Sequence, residues 1–318
     1  MVNIALEPDR NPIYVKAIEG AGGVLSPLNS EVGSSEVGSS EVGSSEVRAL
    51  VWTDYGDPTG LQRTLEKNPQ LEWVQLPFAG VDAFAHLLHF PVKFTCAKGA
   101  YAEPVAEHAL TLALALGRTI PERVQAKSWG RKFADSLFDT NVLIIGGGGI
   151  AEVLVSLLQP FRPKITVLRK HPQYSFHGSA EVLSFSEFDA AITQAKFIFI
   201  TCALTSETRN LFNDRAFKLM RSDSYLINVA RGEIIDQPAL IHALRQNEIA
   251  GAAIDVTYPE PLPDGHELWS APHVLITPHT ADTPELITHL FAERLRINVS
   301  AWIAGEALTG EVDPILGY

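Results

Sequence analysis

Arg231, Glu260 and His279 each stand a few residues beyond a short apolar run: Tyr225–Val229, Ile254–Val256 and Val274–Thr277. Singly, none demands a functional reading, since the chain has 10 histidines and most histidines pack or meet solvent. Together they form a set that could reduce a 2-keto acid. A guanidinium holds a carboxylate through two parallel hydrogen bonds and polarises the neighbouring carbonyl. An imidazole gives a proton near neutral pH. A carboxylate beside it orients the ring and raises its pKa, by about 1–3 units for close opposite charges. Their position also fits, because ligands of open α/β sheets bind outside the carboxyl ends of strands.

Such a reduction needs a dinucleotide, and the chain carries a turn for one. The strand-like Val142–Ile145 runs into Gly146-Gly147-Gly148-Gly149-Ile150-Ala151, a G-x-G-x-x-A pattern, and then the helical Ile150–Leu158. The first glycine allows the tight turn, the second lets backbone approach a pyrophosphate, and the third site needs a small residue for helix–strand packing. Amides at the helix N-terminus would face the phosphates. The next strand-like run, Ile165–Leu168, ends at Arg169-Lys170, and no carboxylate occurs from Lys164 to Gln173. An NAD site carries Asp or Glu there for the ribose hydroxyls. Two cations would instead pair with a 2′-phosphate, each charged hydrogen bond contributing about 1.5–3 kcal/mol. NADP(H) is therefore expected over NAD(H), which stays possible; the plain alternative is a solvated Arg-Lys pair at a strand end.

No metal site is expected. Glu103, Glu107 and His108 fall on different parts of one helix and are read as packing and capping. The two cysteines, Cys96 and Cys202, have no ligand spacing and cannot make a disulfide framework, which fits a reducing, cytoplasmic compartment. Met1–Tyr14 has no basic start followed by an apolar run, and the longest apolar stretch, Ala109–Gly117, is about half of a membrane span. The formal net charge of −12 lacks the positive field that holds nucleic acid or anionic membrane.

The elements that must position these residues alternate. Strand-like runs at Val142–Ile145, Ile165–Leu168, Phe197–Thr201, Tyr225–Val229, Ile254–Val256 and Val274–Thr277 are separated by helical patterns such as Gln237–Arg245. That alternation implies βαβ units and a parallel, doubly wound α/β sheet. Earlier come a strand-like Leu50–Thr53 and a helical Pro58–Lys67. Long helices over Glu103–Leu116 and Pro284–Ile303 bracket the central unit, with Leu286, Ile287, Leu290 and Phe291 on one face of the second. At 318 residues, 46% hydrophobic and 19% charged, two globular domains are expected. Residues 1–99 and 282–318 would form a substrate domain, and 100–281 an inserted dinucleotide-binding domain. Glu31–Ser45 is three copies of Glu-Val-Gly-Ser-Ser, and Glu46-Val47 begins a fourth, so 31–47 is expected to be a flexible, solvated loop.

Three further stretches carry a resemblance: Ile227-Asn228-Val229-Ala230-Arg231-Gly232-Glu233, Asp255-Val256-Thr257-Tyr258-Pro259-Glu260-Pro261-Leu262-Pro263 and Ile276-Thr277-Pro278-His279-Thr280-Ala281. In this order after a dinucleotide turn, the chain resembles the D-isomer-specific 2-hydroxyacid dehydrogenases, in their glyoxylate/hydroxypyruvate reductase-like branch, over most of its length. The resemblance implies two Rossmann-like or flavodoxin-like doubly wound lobes, the cofactor domain inserted into the substrate domain, and a homodimer. It implies reduction of a small 2-keto acid to the D-2-hydroxy acid, with Arg231 as anchor, His279 as general acid/base and Glu260 as its partner. Asp255 would hold the nicotinamide carboxamide, Cys202, Leu204 and Thr208 would lie in the loop under the cofactor, and Ala230 and His279 would line it. Backbone amides of the loop Phe78, Ala79 and Gly80 would bind the carboxylate, and lobe closure would exclude water.

The chain departs from the family pattern at four positions. Ala151 replaces the third glycine, Arg169 replaces the usual Asp, and Phe78 stands where glycine is common and would narrow or line the pocket. Asp282, where small residues are usual, would disfavour a second negative charge on the substrate. Two other readings stay open: phosphoglycerate dehydrogenase-like activity on a phosphorylated acid, and a non-catalytic NADPH-binding sensor.

Overall fold

The structure is a computed structural model describing residues 2–28 and 46–314. The repeat at 31–47 lies outside the described residues, apart from Glu46 and Val47. The chain divides into two compact units, Met1–Tyr101 with Pro284–Tyr318, and Ala102–Thr283.

The first unit holds β1 Val2–Glu7, α1 Pro12–Gly20, β2 Gly23–Leu25, β3 Ala49–Trp52, α2 Pro58–Lys67, β4 Trp73–Gln75 and β5 Lys93–Thr95. Its five strands pair in parallel in the order β2-β1-β3-β4-β5, a doubly wound arrangement. All four residues of β3 are buried, which is why its sequence is a continuous apolar run rather than an alternation. Both helices begin with a proline in the first turn behind a side-chain cap: Ile13 N donates to Asn11, and Gly60 N to Asp57.

The second unit holds α3 Ala102–Gly117, α4 Ile120–Gln125, β6 Asn141–Ile145, α5 Gly149–Leu158, β7 Lys164–Leu168, β8 Glu181–Leu183, α6 Phe188–Ile192, β9 Phe197–Ile200, α7 Asp214–Leu219, β10 Tyr225–Asn228, α8 Gln237–Arg245, β11 Gly251–Ile254 and β12 Val274–Ile276. The strands form one parallel sheet in the order β12-β11-β10-β9-β6-β7-β8. Winding reverses between β6 and β9, the switch point beside which such sheets bind nucleotides. The register is informative. Leu168, Ile145, Ile200, Asn228, Ile254 and Ile276 are partnered in one row across six strands, so the loops that follow all leave from one edge. On one face of the sheet, Leu143, Ile145, Ile198, Ile200 and Leu226 are buried in a single core.

The chain returns to the first unit through α9 Pro284–Ala304. Buried polar groups of this helix complete the core there. Asn298 Nδ2 donates to Gln75 Oε1 at 2.7 Å, while Arg294 donates to the carbonyls of Cys96 and Lys98 at 2.9 and 2.8 Å. Trp73 Nε1 donates to Thr95 Oγ1, which donates to Gln75 Oε1, both at 2.8 Å, so this network is satisfied internally.

Two expectations need correction. Strand β11 is Gly251–Ile254, ending where the expected run Ile254–Val256 begins. Its Gly-Ala-Ala start carries little apolar bulk, and Gly251 is tight enough that a Cβ would lie 2.9 Å from His273 O. Leu286 is also 49% exposed, unlike Ile287 and Phe291. The buried stripe of α9 runs through Ile287, Phe291, Arg294, Leu295 and Asn298, and so includes polar residues that a search for apolar side chains passes over. Among the described residues, no helix is long and apolar enough to cross a membrane.

Candidate active site

The loop after β10 carries Arg231. Asn228, fully buried, shapes it: its Nδ2 donates to Arg231 O at 2.9 Å, and Ala230 N donates to its Oδ1 at 3.0 Å. Ala230 is buried beside it, and the Arg231 guanidinium donates through Nη1 to Ala230 O at 2.7 Å. Gly232 lies against the loop after β11, where a Cβ would overlap the carbonyl group of Thr257. That second loop carries Glu260. Gln237, at the start of α8, clamps it by accepting from Tyr258 N at 2.8 Å and donating to Tyr258 O at 2.6 Å.

His279 follows β12, and its Nδ1 lies 2.6 Å from Glu260 Oε1. Both side chains remain open, at 36% and 41% exposure, so the ring can meet a ligand through its other nitrogen. The hydrogen bond to Glu260 raises the imidazole pKa above its ordinary value. Burial opposes this, while the charges of Glu260 and Asp282 support it and that of Arg231 works against it. Burial would raise the Glu260 carboxyl, but the His279 hydrogen bond and charge, Thr257 N and Arg231 outweigh it and hold Glu260 low. An ionised carboxylate beside a readily protonated imidazole is the pairing a general acid needs. His279 also has φ of +50°, a left-handed backbone that costs a non-glycine residue about 1–2 kcal/mol and must be held by its surroundings.

The glycine turn follows β6. Gly146 has φ of +107°, and a Cβ there would come within 2.7 Å of the Cys202 backbone. Gly148 is the N-cap of α5 with no side-chain cap, and a Cβ on it would meet nothing within 4 Å. Gly149 and Ile150 open the helix, so the first amides of α5 face an open cradle, as a pyrophosphate requires. Arg169 lies over the turn, its Cδ 2.9 Å from where a Gly147 Cβ would be, and Nη1 donates to Ser175 O at 3.1 Å. Lys170 is paired with Glu207 at 3.1 Å. In the loop after β9, Thr205 N donates to Thr208 Oγ1, and that hydroxyl donates to Ala203 O, both at 2.8 Å. Leu204 packs on the core, and burial pushes the Cys202 thiol up to about 12, which leaves it protonated. These residues fit a dinucleotide: an uncapped helix start and glycines with no room or no neighbour for a side chain.

Asp255 and His108 hold a finding that sequence spacing did not reveal. His108 was expected to be a packing and capping residue of its helix, but its Nε2 lies 3.2 Å from both Asp255 Oδ1 and Thr277 Oγ1. Asp255 is 1% exposed and also accepts from Thr277, Thr280 and Ala281. Burial would raise its carboxyl, but these hydrogen bonds, His108 first, hold it low. Burial raises the Asp282 carboxyl; His279 and Arg231 pull it down and Asp255 adds to the rise. Among the described residues, no three His, Cys, Asp or Glu side chains form a group that could hold a metal ion.

Phe78, Ala79 and Gly80 belong to the other unit, in the loop after β4. The Phe78 ring packs edge-on against Tyr55 and Tyr101, with centroids at 4.7 and 6.2 Å, and its carbonyl accepts from Ala97 N at 2.9 Å.

The chain is similar to known proteins in sequence and fold. Residues 110–281 match the family described as D-isomer specific 2-hydroxyacid dehydrogenase, NAD binding domain. The chain is 35% identical over 256 residues to a Corynebacterium melassecola protein named "Uncharacterized protein in proB 3'region", covering 78% of this chain and 84% of that one. It is 31% identical over 273 residues to the glyoxylate/hydroxypyruvate reductase B of Escherichia fergusonii, covering 78% of each. A crystal structure of a D-isomer specific 2-hydroxyacid dehydrogenase from Xanthobacter autotrophicus Py2, in complex with NADPH and MES, aligns with a TM-score of 0.83 at 26% identity, over 100% of this chain and 99% of that one.

Proposed function

The chain belongs to the D-isomer specific 2-hydroxyacid dehydrogenase family, and on that premise we propose that it reduces a small 2-keto acid of the glyoxylate or hydroxypyruvate type to the D-2-hydroxy acid, preferring NADPH. The observation that carries this reading is the contact of 2.6 Å between His279 Nδ1 and Glu260 Oε1, on the sheet edge that also carries Arg231 and the glycine turn.

Amides at Gly148, Gly149 and Ile150 would hold the pyrophosphate, with Gly146 making the turn and Arg169 and Lys170 available to a 2′-phosphate. The loop of Cys202, Leu204 and Thr208, together with Ala230, would hold the cofactor. The nicotinamide, when bound, supplies the hydride for C2. Arg231 binds the substrate carboxylate and polarises the carbonyl. Because Nδ1 is held by Glu260, Nε2 is the atom that gives its proton to the carbonyl oxygen. Glu260 stays ionised throughout and stabilises the imidazolium between turnovers, and solvent restores the proton.

A homodimer joins this reading. Trp129 and Phe133 are exposed, Trp129 at 87%, in a hollow also lined by Arg118, Arg123, Lys127, Arg131 and Lys132. Exposed aromatic surface of this kind suits burial against a second copy of the same chain.

The test is loss of reduced-cofactor absorbance with NADPH, and separately NADH, against glyoxylate, hydroxypyruvate, pyruvate, phenylpyruvate and 3-phosphohydroxypyruvate. Turnover of a two- or three-carbon acid with NADPH is expected. Preference for the phosphorylated acid overturns the substrate class. Silence across the panel with tight NADPH binding overturns the enzyme reading in favour of a sensor.

A further inference from the structure

Asp255 receives three successive amides. His279 N donates to its carbonyl at 2.8 Å, Thr280 N to Oδ1 at 3.0 Å and Ala281 N to Oδ2 at 3.2 Å. One residue thus fixes the backbone of 279–281, including the left-handed φ of +50° at His279. Such a fan works only if the carboxylate is itself held from the other side. Thr277 Oγ1 donates to Oδ1 at 2.5 Å, and His108 Nε2 is 3.2 Å from both of those oxygens. With the Thr277 hydrogen committed to Asp255, both oxygens face His108 as acceptors, so Nε2 carries the proton. The imidazole projects from α3, is only 20% exposed, and sits 147 residues before the carboxylate it touches.

We propose that His108 is a positioning residue for His279. Its Nε2–H orients the Asp255 carboxylate, the carboxylate pins the amides of 279–281, and that keeps the His279 ring on Glu260. The proposal rests on the reading of His279 as the acid, but the pinning can be observed without turnover. Other charges act on the ring, namely Glu260, Asp282 and Arg231, and none of them is removed when His108 is changed.

The experiment compares His108→Leu, which removes the donor at similar bulk, with His108→Gln, whose amide nitrogen reaches a similar point. The readout is the NMR titration of the His279 ring in the full chain, assigned by its loss in His279→Asn. In His108→Leu the titration midpoint is expected to fall by about one unit as the Glu260 contact loosens, with His108→Gln returning to the parent value. Reductive kcat should fall about 10–100-fold in His108→Leu, with cofactor affinity within about twofold. A midpoint unmoved in His108→Leu overturns the proposal, as does an equal fall in both variants, which would mean helix packing alone. Should His108→Leu not fold, Thr277→Val breaks the same relay and carries the same expectation. If the parent turns over no keto acid, the functional reading fails while the midpoint still decides the positioning.

Discussion

Gly232 and Thr257 pass backbone against backbone, with no room for a Cβ between them. This close approach joins the loop of Arg231 to the loop of Glu260. Gly232→Ala is expected to lose about 1–3 kcal/mol of stability by overpacking and to lower kcat/KM by parting the two loops. Thermal melting and steady-state kinetics check this; a variant as stable and active as the parent would show the approach to be incidental.

His279→Asn removes the proton donor but little bulk. It should lower kcat by about 10²–10⁴-fold, with the cofactor dissociation constant, read by fluorescence titration, almost unchanged. Activity retained at more than a few per cent would remove His279 from the acid role.

Reduction should depend on pH in one direction. Its acid form is the imidazolium, which the Glu260 hydrogen bond favours, raising the pKa above the usual 6.5. The reductive kcat/KM is therefore level at acid pH and falls as pH rises through a midpoint above 6.5. Oxidation, which needs the neutral ring, rises over the same range. Glu260→Gln should move the fall to lower pH, and an unmoved profile would mean another group titrates.

Arg169 lies over the glycine turn, so Arg169→Ala should raise the KM for NADPH about 10–100-fold, the equivalent of one charged hydrogen bond of about 1.5–3 kcal/mol. The KM for NADH should barely change. Equal effects on both cofactors would make Arg169 a structural cover for the turn.

Trp129 is the most exposed aromatic of the basic stretch, and Trp129→Asp should weaken the homodimer. Sedimentation velocity should show a dimer for the parent and a shift toward monomer for the variant. A monomeric parent would reject the assembly outright.

What the sequence disclosed followed from locality. Gly146, Arg231 and His279 each come within three residues of the end of a strand carrying Val, Ile or Leu, so strand, turn and chemistry could be read together. Strand β11 was misplaced because Gly251, Ala252 and Ala253 carry almost no apolar bulk, although all three are buried. The link from His108 to Asp255 could not be read at all, because it depends on α3 packing near the end of a strand far away in the chain. The available signal was a histidine close to the buried Ala106 and Ala109 on a helix that is largely apolar beyond it. Leu286 shows the converse, an apolar residue at a plausible spacing that the fold leaves in water.

The first unit is built from the two ends of the chain, and this has a consequence for synthesis. Its strands β4 and β5 are finished by Asn298 on Gln75 and by the bridge from Thr95 to Glu311. During translation the entire second unit is made in between, on the order of 10–40 s at about 5–20 residues per second. The second unit can fold as it emerges, since all of its strands are contiguous in sequence. Throughout that interval the β5 edge of the nascent sheet is open to pairing with a neighbouring chain, until Glu311 arrives beyond α9.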